Sequence, residues 1–253
     1  YSKNDIVQVT IEDIGVTGEG IGKIDVYTLF VKDTVIGDIV EVKIMKAKKN
    51  YGYARLMNII TPSKDRVTPE CNIARQCGGC QLQAMSYAAQ LKYKQKLVSD
   101  NLQRIGGLTE GVDYEMCDIL GMDTPCRYRN KAQYPVGEDK DGNIIMGFYA
   151  GHTHSIIPCD DCLLGDENNS VILTAVRQWM KDYRVRAYNE NIHKGTLRHI
   201  LIRTGFHTDE IMVCLVTKKM LRKEAADGLV RVIERLNSGS SASDNISSGS
   251  DNN

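Results

Sequence analysis

Three cysteines crowd one short stretch of the chain: Cys71, Cys77 and Cys80, spaced C-x5-C-G-G-C. Paired glycines let the backbone turn tightly, so the three thiolates can approach one soft metal. Such sites take four ligands, and a fourth is available at Cys159 or Cys162. Two metals suit the set. A zinc site would pair Cys77-x2-Cys80 with Cys159-x2-Cys162 and leave Cys71 unused. An iron–sulfur cluster would use Cys71, Cys77, Cys80 and one later cysteine. Cys162 enters what reads as a helix start, where amide donors stabilise a thiolate. The cluster uses the whole loop and is the better reading, although spacing alone does not decide between the metals.

The other candidates are weaker. Cys117, Cys126 and Cys214 read as structural, Cys214 as a small hydrophobe in the apolar run Ile211–Val216. Gly18-Glu19-Gly20-Ile21-Gly22-Lys23 has the look of a phosphate loop, but Thr17 and Ile24 stand where the P-loop requires glycine and a hydroxyl. It reads as a glycine hairpin. Basic residues cluster at Lys43, Lys46, Lys48 and Lys49, at Lys92, Lys94 and Lys96, and at Arg127, Arg129 and Lys131. Tyr51 and Tyr53 follow the first cluster, and Tyr128 and Tyr134 flank the third. Cations interleaved with rings are how single-stranded nucleic acid is held. His199, beside Arg198, reads as a structural histidine. There is no glycine-rich turn for a dinucleotide or S-adenosylmethionine, no Ser-His-Asp order and no paired-carboxylate motif.

The 253 residues allow two compact domains. Lys+Arg and Asp+Glu both number 32, so any nucleic-acid surface must be local. No apolar run approaches the roughly 20 residues that span a bilayer, and no signal peptide opens the chain. Eight cysteines without an export signal indicate reduced thiols and a cytoplasmic protein. Tyr at position 1 suggests that the chain begins after a removed start.

The elements that must position these residues follow from periodicity. Ile6–Ile11, Val26–Val31, Asp38–Ile44 and Tyr51–Ile60 are β-branched, alternating runs separated by turn residues, the pattern of a small OB-type barrel. Thr61-Pro62-Ser63 is its exit. A helix follows from the Ser86 N-cap, with Leu91, Val98, Leu102 and Ile105 on one face, and Gly106-Gly107 stops it. Strand character returns over 128–157. A helix over 166–183 buries Ile172, Val176, Trp179 and Met180. Leu197–Ile202 and Ile211–Val216 form a strand pair, and Leu221–Leu236 is a last amphipathic helix. The Ser/Asn-rich stretch 237–253 should be disordered.

With these motifs in place, the chain resembles the TRAM-containing RNA (uracil-5-)-methyltransferases of the ribosomal-RNA type. The resemblance rests on Gly18-Glu19-Gly20-Ile21-Gly22, on Cys71…Cys77-Gly78-Gly79-Cys80-Gln81, on Tyr128-Arg129-Asn130-Lys131, on the Cys162 segment and on Gly195-Thr196-Leu197-Arg198-His199. It implies an α+β chain with an OB-like TRAM barrel over 1–62 and an iron–sulfur α/β central domain over 63–236. A [4Fe–4S] cluster would sit on Cys71, Cys77, Cys80 and Cys162. Candidate RNA contacts are Lys23, Lys46, Lys48, Lys49, Arg129, Lys131 and Arg198. The family's Rossmann-like domain binds S-adenosylmethionine. There a cysteine thiolate adds to C6 of an extruded uracil, C5 takes the methyl group and a carboxylate removes the C5 proton. That domain is expected to be absent from this chain, which would then carry no catalytic residue, bind and position ribosomal RNA as a monomer, and be inactive alone. Two alternatives compete. One is a stand-alone RNA-binding module with a four-cysteine zinc site. The other is a radical methylthiotransferase, disfavoured because those enzymes use C-x3-C-x2-C and a C-terminal barrel.

Overall fold

The computed structural model describes residues 1–151, 153–208 and 210–237. Of the stretch expected to be disordered, 237–253, Asn237 is the last residue of a helix and 238–253 lie outside the described residues. The chain divides into two compact units, Tyr1–Pro125 and Cys126 onward.

In the first unit, strands β1 (Ile6–Ile14), β2 (Gly20–Ile24), β3 (Tyr27–Val31), β4 (Ile39–Ala47) and β5 (Tyr51–Thr61) form a closed barrel in the order β1-β2-β3-β5-β4. All neighbours are antiparallel except the parallel pair β3–β5. Side chains alternate across each strand, so Val9, Ile11, Leu29, Val31, Val40, Val42 and Ile44 fill the interior. Strand β2 is the element that the sequence reading leaves as a hairpin. Its glycines hide the strand pattern and also explain it. A Cβ on Gly22 would lie 2.5 Å from the Thr10 carbonyl oxygen and the Val9 side chain, so only glycine lets β2 lie this close to β1.

Asp38, at the entry to β4, is fully buried. Its carboxylate accepts from the amides of Val35 (2.7 Å) and Ser63 (2.9 Å) and from Nε of Arg66 (3.0 Å). Burial pushes its pKa up, but the Arg66 hydrogen bonds, the two amides and the Arg66 charge outweigh this and hold it below the ordinary 3.8. Next to Arg66, the Val67 amide donates to the Ala84 carbonyl (2.9 Å), and the Ser86 amide donates to that of Asp65 (2.8 Å). These bonds draw together the two ends of the cysteine loop.

Helix α1 (Tyr87–Asp100) begins at Ser86, whose hydroxyl accepts from the Ala89 amide. A π-helical turn, Asn101–Ile105, continues it. The buried face differs from the expected stripe. Ala89, Tyr93 and Leu97, spaced i, i+4, i+8, pack with Ile14, Val35 and Met85, and the Tyr93 hydroxyl donates to the Gly15 carbonyl (2.9 Å). Val98 is 51% and Ile105 83% exposed. A tyrosine with a carbonyl partner is a better anchor here than the purely apolar residues that hydropathy favours.

In the second unit, β6 (Lys131–Glu138), β7 (Ile144–Tyr149), β8 (Ile156–Pro158), β9 (Leu197–Thr204) and β10 (Ile211–Thr217) form an antiparallel sheet in the order β10-β9-β6-β7-β8. Helices α2 (Asn168–Asp182) and α3 (Lys223–Asn237) contribute to its core. Ile172, Leu173, Val176, Trp179 and Met180 of α2 pack with Tyr134, Met146, Ile200 and Ile202 of the sheet. The Trp179 indole donates to the Ala225 carbonyl (2.8 Å) and ties α3 to α2. Among the described residues no helix is long and apolar enough to cross a membrane.

Replacing Asp38 by Asn leaves the Arg66 charge without its carboxylate. Breaking a buried pair on one side costs ~3–5 kcal/mol, to be read from urea denaturation followed by the barrel's own signal. A midpoint equal to that of the wild type would rule out a structural role for the pair. Because the folded-state pKa of Asp38 is lowered, its contribution is complete above pH 3.8 and drains away as pH falls below that value. Asp38→Asn should lack that acid-labile component.

Candidate functional site

The barrel presents the clearest surface. Cross-strand pairing sets Thr28 opposite Tyr51 and Phe30 opposite Tyr53, on the outward side of β3 and β5. The Phe30 and Tyr53 rings stack at 5.5 Å and 29°, and Tyr51 meets both edge-on at 6.0 and 5.9 Å. Tyr51 and Tyr53 are 39% and 44% exposed, so this aromatic platform faces solvent. Cations frame it. Lys46 of β4 lies across from Tyr53, Lys23 of β2 across from Thr28, and Lys48 and Lys49 occupy the exposed β4–β5 turn. Exposed rings bordered by lysines can stack bases and attract phosphates together.

The thiols form two groups. In the first unit Cys71, Cys77 and Cys80 are all half-buried, and the Cys77 sulfur accepts from the Gly79 amide (3.3 Å). In the second unit the buried Cys159 and the half-buried Cys162 share a loop before α2. Cys162 has its pKa pushed down to about 6, by a hydrogen bond from Cys159, by the amides of Leu164 and Gly165 and by the Arg129 charge, against the opposing effect of burial. Among the described residues no three Cys, His, Asp or Glu are arranged to hold a metal ion. The loop spacing therefore marks a set of donors without gathering them. Cys214 is exposed, not buried as its apolar neighbours suggest, because β10 is an edge strand that turns alternate residues outward.

Arg127 is a functional-looking cation that the structure uses internally. It clamps the Cys159–Gly165 loop with a bidentate pair to Asp161 (2.6 and 2.8 Å) and hydrogen bonds to the Cys162 and Gly165 carbonyls. Arg129 and Lys131 remain exposed. Lys131 lies directly opposite Arg203 on β9, and like charges facing each other across a ladder repel unless an anion bridges them.

Arg198 sits on β9 at a cleft of about 340 Å³ within the second unit. Its guanidinium covers the Tyr188 ring at 4.8 Å and donates to Glu190 (3.0 Å). The backbone makes this possible at Gly195. With φ of +103° it returns the 189–194 turn to β9, and a Cβ there would collide with the Ala187 carbonyl. His199 lies 3.3 Å from the Tyr149 hydroxyl, and burial followed by the Arg198 charge pushes its pKa down, so it is neutral at pH 7. Sequence reasoning selected Arg198 but not Tyr149, His154, Tyr188 or Glu190. They lie up to 50 residues from the residues they meet, and no spacing rule joins them.

Comparison with known proteins places the barrel first: residues 3–57 match the TRAM domain. Most of the chain is similar to bacterial proteins named uncharacterized RNA methyltransferases. It is 45% identical to one from Clostridium tetani over 93% of this chain and 52% of the relative. It is 46% identical to one from Halalkalibacterium halodurans over 86% of this chain and 46% of the relative. The chain thus spans about half the length of the curated relatives it matches. The crystal structure of a tRNA (uracil-54, C5)-methyltransferase from Pyrococcus abyssi, in complex with S-adenosyl-L-homocysteine, shares the fold. Its TM-score is 0.61 at 22% identity, over 87% of this chain and 48% of that one.

These alignments correct one expectation. The sequence reading divides the chain into a TRAM barrel and an iron–sulfur central domain, with a methyltransferase domain absent. Similarity to methyltransferases instead runs through 93% of the chain and includes the sheet and helices of the second unit as well as the barrel. The expectation drew its boundary from missing glycine-rich motifs, and a missing motif does not delimit a domain.

With the pKa of Cys162 near 6, its alkylation by iodoacetamide in chelator-treated protein should rise with a midpoint near pH 6. Peptide mass spectrometry at Cys162, with the exposed Cys117 as reference, reads this directly. Parallel profiles at the two sites would mean that the Cys159 and amide hydrogen bonds do not stabilise the Cys162 thiolate.

Proposed function

We propose that this chain binds and positions RNA for S-adenosylmethionine-dependent methylation of uracil at C5, producing 5-methyluridine in ribosomal RNA. The observation that carries the reading is the exposed Phe30–Tyr51–Tyr53 platform with Lys23, Lys46, Lys48 and Lys49 around it, on a barrel matching the TRAM domain. The names of the bacterial relatives support RNA as the substrate and methyl transfer as the reaction. The choice of uracil C5 and of ribosomal RNA rests on the sequence resemblance. Arg129, Lys131 and Arg198 extend the RNA contacts to the second unit.

In this reaction a thiolate adds to C6 of uracil, C5 takes a methyl group from S-adenosylmethionine, the C5 proton is removed and the thiolate departs. The residues assigned here supply none of those groups. Their part is to hold the RNA backbone by charge and its unpaired bases by stacking, which restricts the orientations the target uridine can sample.

The reading includes a [4Fe–4S] cluster on Cys71, Cys77, Cys80 and Cys162. Three half-buried thiols in one closed loop, together with a fourth already inclined to the thiolate form, are donors of the right chemistry. Metal would have to draw them together, coupling ligation to folding. Protein purified without oxygen should contain about four irons and four sulfides per chain. Colourless protein with one zinc would instead assign Cys77, Cys80, Cys159 and Cys162.

RNA binding tests the central claim. Phe30→Ala and Tyr53→Ala should each weaken binding of a single-stranded RNA by ~1–3 kcal/mol, and Lys46→Ala should flatten the log-affinity against log-salt slope by about 0.7. Unchanged affinities in all three variants would remove the barrel face from the reading. Tritium release from ribosomal RNA carrying 5-tritiated uridine, compared with transfer RNA, then tests reaction and substrate.

A further inference from the structure

Apart from Arg198, the residues of the cleft beside it have no role in the reading above. Its volume of about 340 Å³ is at the small end of ligand sites, which run ~300–1,000 Å³. Its walls carry flat groups. The Tyr149 and His154 rings stack at 5.2 Å and 25°, and the Tyr188 ring carries the Arg198 guanidinium on its face. One carboxylate organises them: Glu190 lies 2.9 Å from His154 Nδ1 and accepts from Arg198. These hydrogen bonds, His154 first and Arg198 second, hold the Glu190 pKa down, so it remains an acceptor at neutral pH. Arg198 Nε is buried and has no hydrogen-bond partner among the described residues.

Flat faces and an anionic acceptor within one small cleft are the requirements for reading a base on its face and edge together. A base within a duplex cannot offer a free face, whereas an unpaired one can. We infer that this cleft, lined by Tyr149, His154, Tyr188, Glu190, Arg198 and His199, binds a single unpaired nucleobase of the RNA. The base lies against the ring and guanidinium faces while its edge meets Glu190 and Arg198. The inference rests on RNA being the bound polymer and adds a second base-binding site to the barrel platform. Arg198 thereby becomes a stacking and edge-reading residue where the sequence suggested only a phosphate contact.

The full chain is titrated with an unstructured RNA of about 12 nucleotides and separately with AMP, GMP, CMP and UMP, while ring signals of tyrosine and histidine are followed by NMR. The mononucleotides should shift Tyr149, His154, Tyr188 and His199 and leave the barrel tyrosines in place. Tyr188→Ala should weaken RNA binding roughly 10-fold to 100-fold. Tyr188→Phe, which keeps the ring, should retain affinity, and Arg198→Lys, which keeps the charge but loses the planar fork, should not. Thermal midpoints of all three variants separate loss of fold from loss of binding. If RNA binds as tightly to Tyr188→Ala as to the wild type and no cleft signal moves, the inference is overturned and the RNA reading stands. If mononucleotides shift the cleft signals but the wild type binds no RNA, base binding holds and the RNA-substrate reading fails. If neither probe acts on the cleft and the wild type binds no RNA, both are overturned.

Discussion

Asp38 is the fixed point of the first unit. A carboxylate with no solvent exposure has to find all its partners inside the protein, and it finds them in three segments. Val35 belongs to the turn before β4, Ser63 follows β5, and Arg66 begins the path toward the cysteine loop. The adjoining backbone pairs Val67 with Ala84 and Ser86 with Asp65, so the loop that carries Cys71, Cys77 and Cys80 is closed at a base set by the barrel. Helix α1 starts immediately afterwards at Ser86. Barrel, thiol loop and helix therefore depend in sequence on one buried ion pair, and the position of the thiols is inherited from a residue some thirty positions upstream.

The two units distribute the chemistry differently. On the barrel, Phe30, Tyr51, Tyr53, Lys23 and Lys46 stand on strands, so their spacing is fixed by the ladder. In the second unit it sits on loops held down from the sheet. The Arg127 clamp holds the Cys159–Gly165 segment, and Gly195 returns the Tyr188–Glu190 turn against Arg198. Similarity to proteins named RNA methyltransferases covers 93% of the chain and so includes residues of both units.

What was legible in the sequence follows from how local its cause is. The alternating runs of β1, β3, β4 and β5 and the apolar stripe of α2 were readable because each depends on neighbours two to four positions away. Strand β2 was not, since Gly20 and Gly22 erase the side-chain alternation that marks a strand, and the reason for them lies in the approach of β1. The buried face of α1 was misplaced because Tyr93 is anchored by a carbonyl 78 residues away, which hydropathy does not register. Arg198 could be selected from its motif, yet the cleft around it could not. Tyr149 and His154 lie at the β7–β8 connection and Glu190 lies 36 residues beyond His154, so the cleft forms only when these segments are brought together. The cysteine spacing suggested one set of donors, and among the described residues no three such groups are gathered to hold a metal ion.

The sheet of the second unit ends at β10, where Met212, Cys214 and Val216 are turned outward along a strand with no neighbour beyond it among the described residues. The barrel has no such boundary, because closure of β4 on β1 gives every strand two partners. The two units consequently differ in colloidal behaviour. The barrel offers nothing for another chain to extend. The β10 edge, apolar and free of proline and charge, is a template for strand addition. Self-association in concentrated solution would begin there, and its exposed thiol would convert a transient encounter into a covalent dimer whenever the medium turned oxidising.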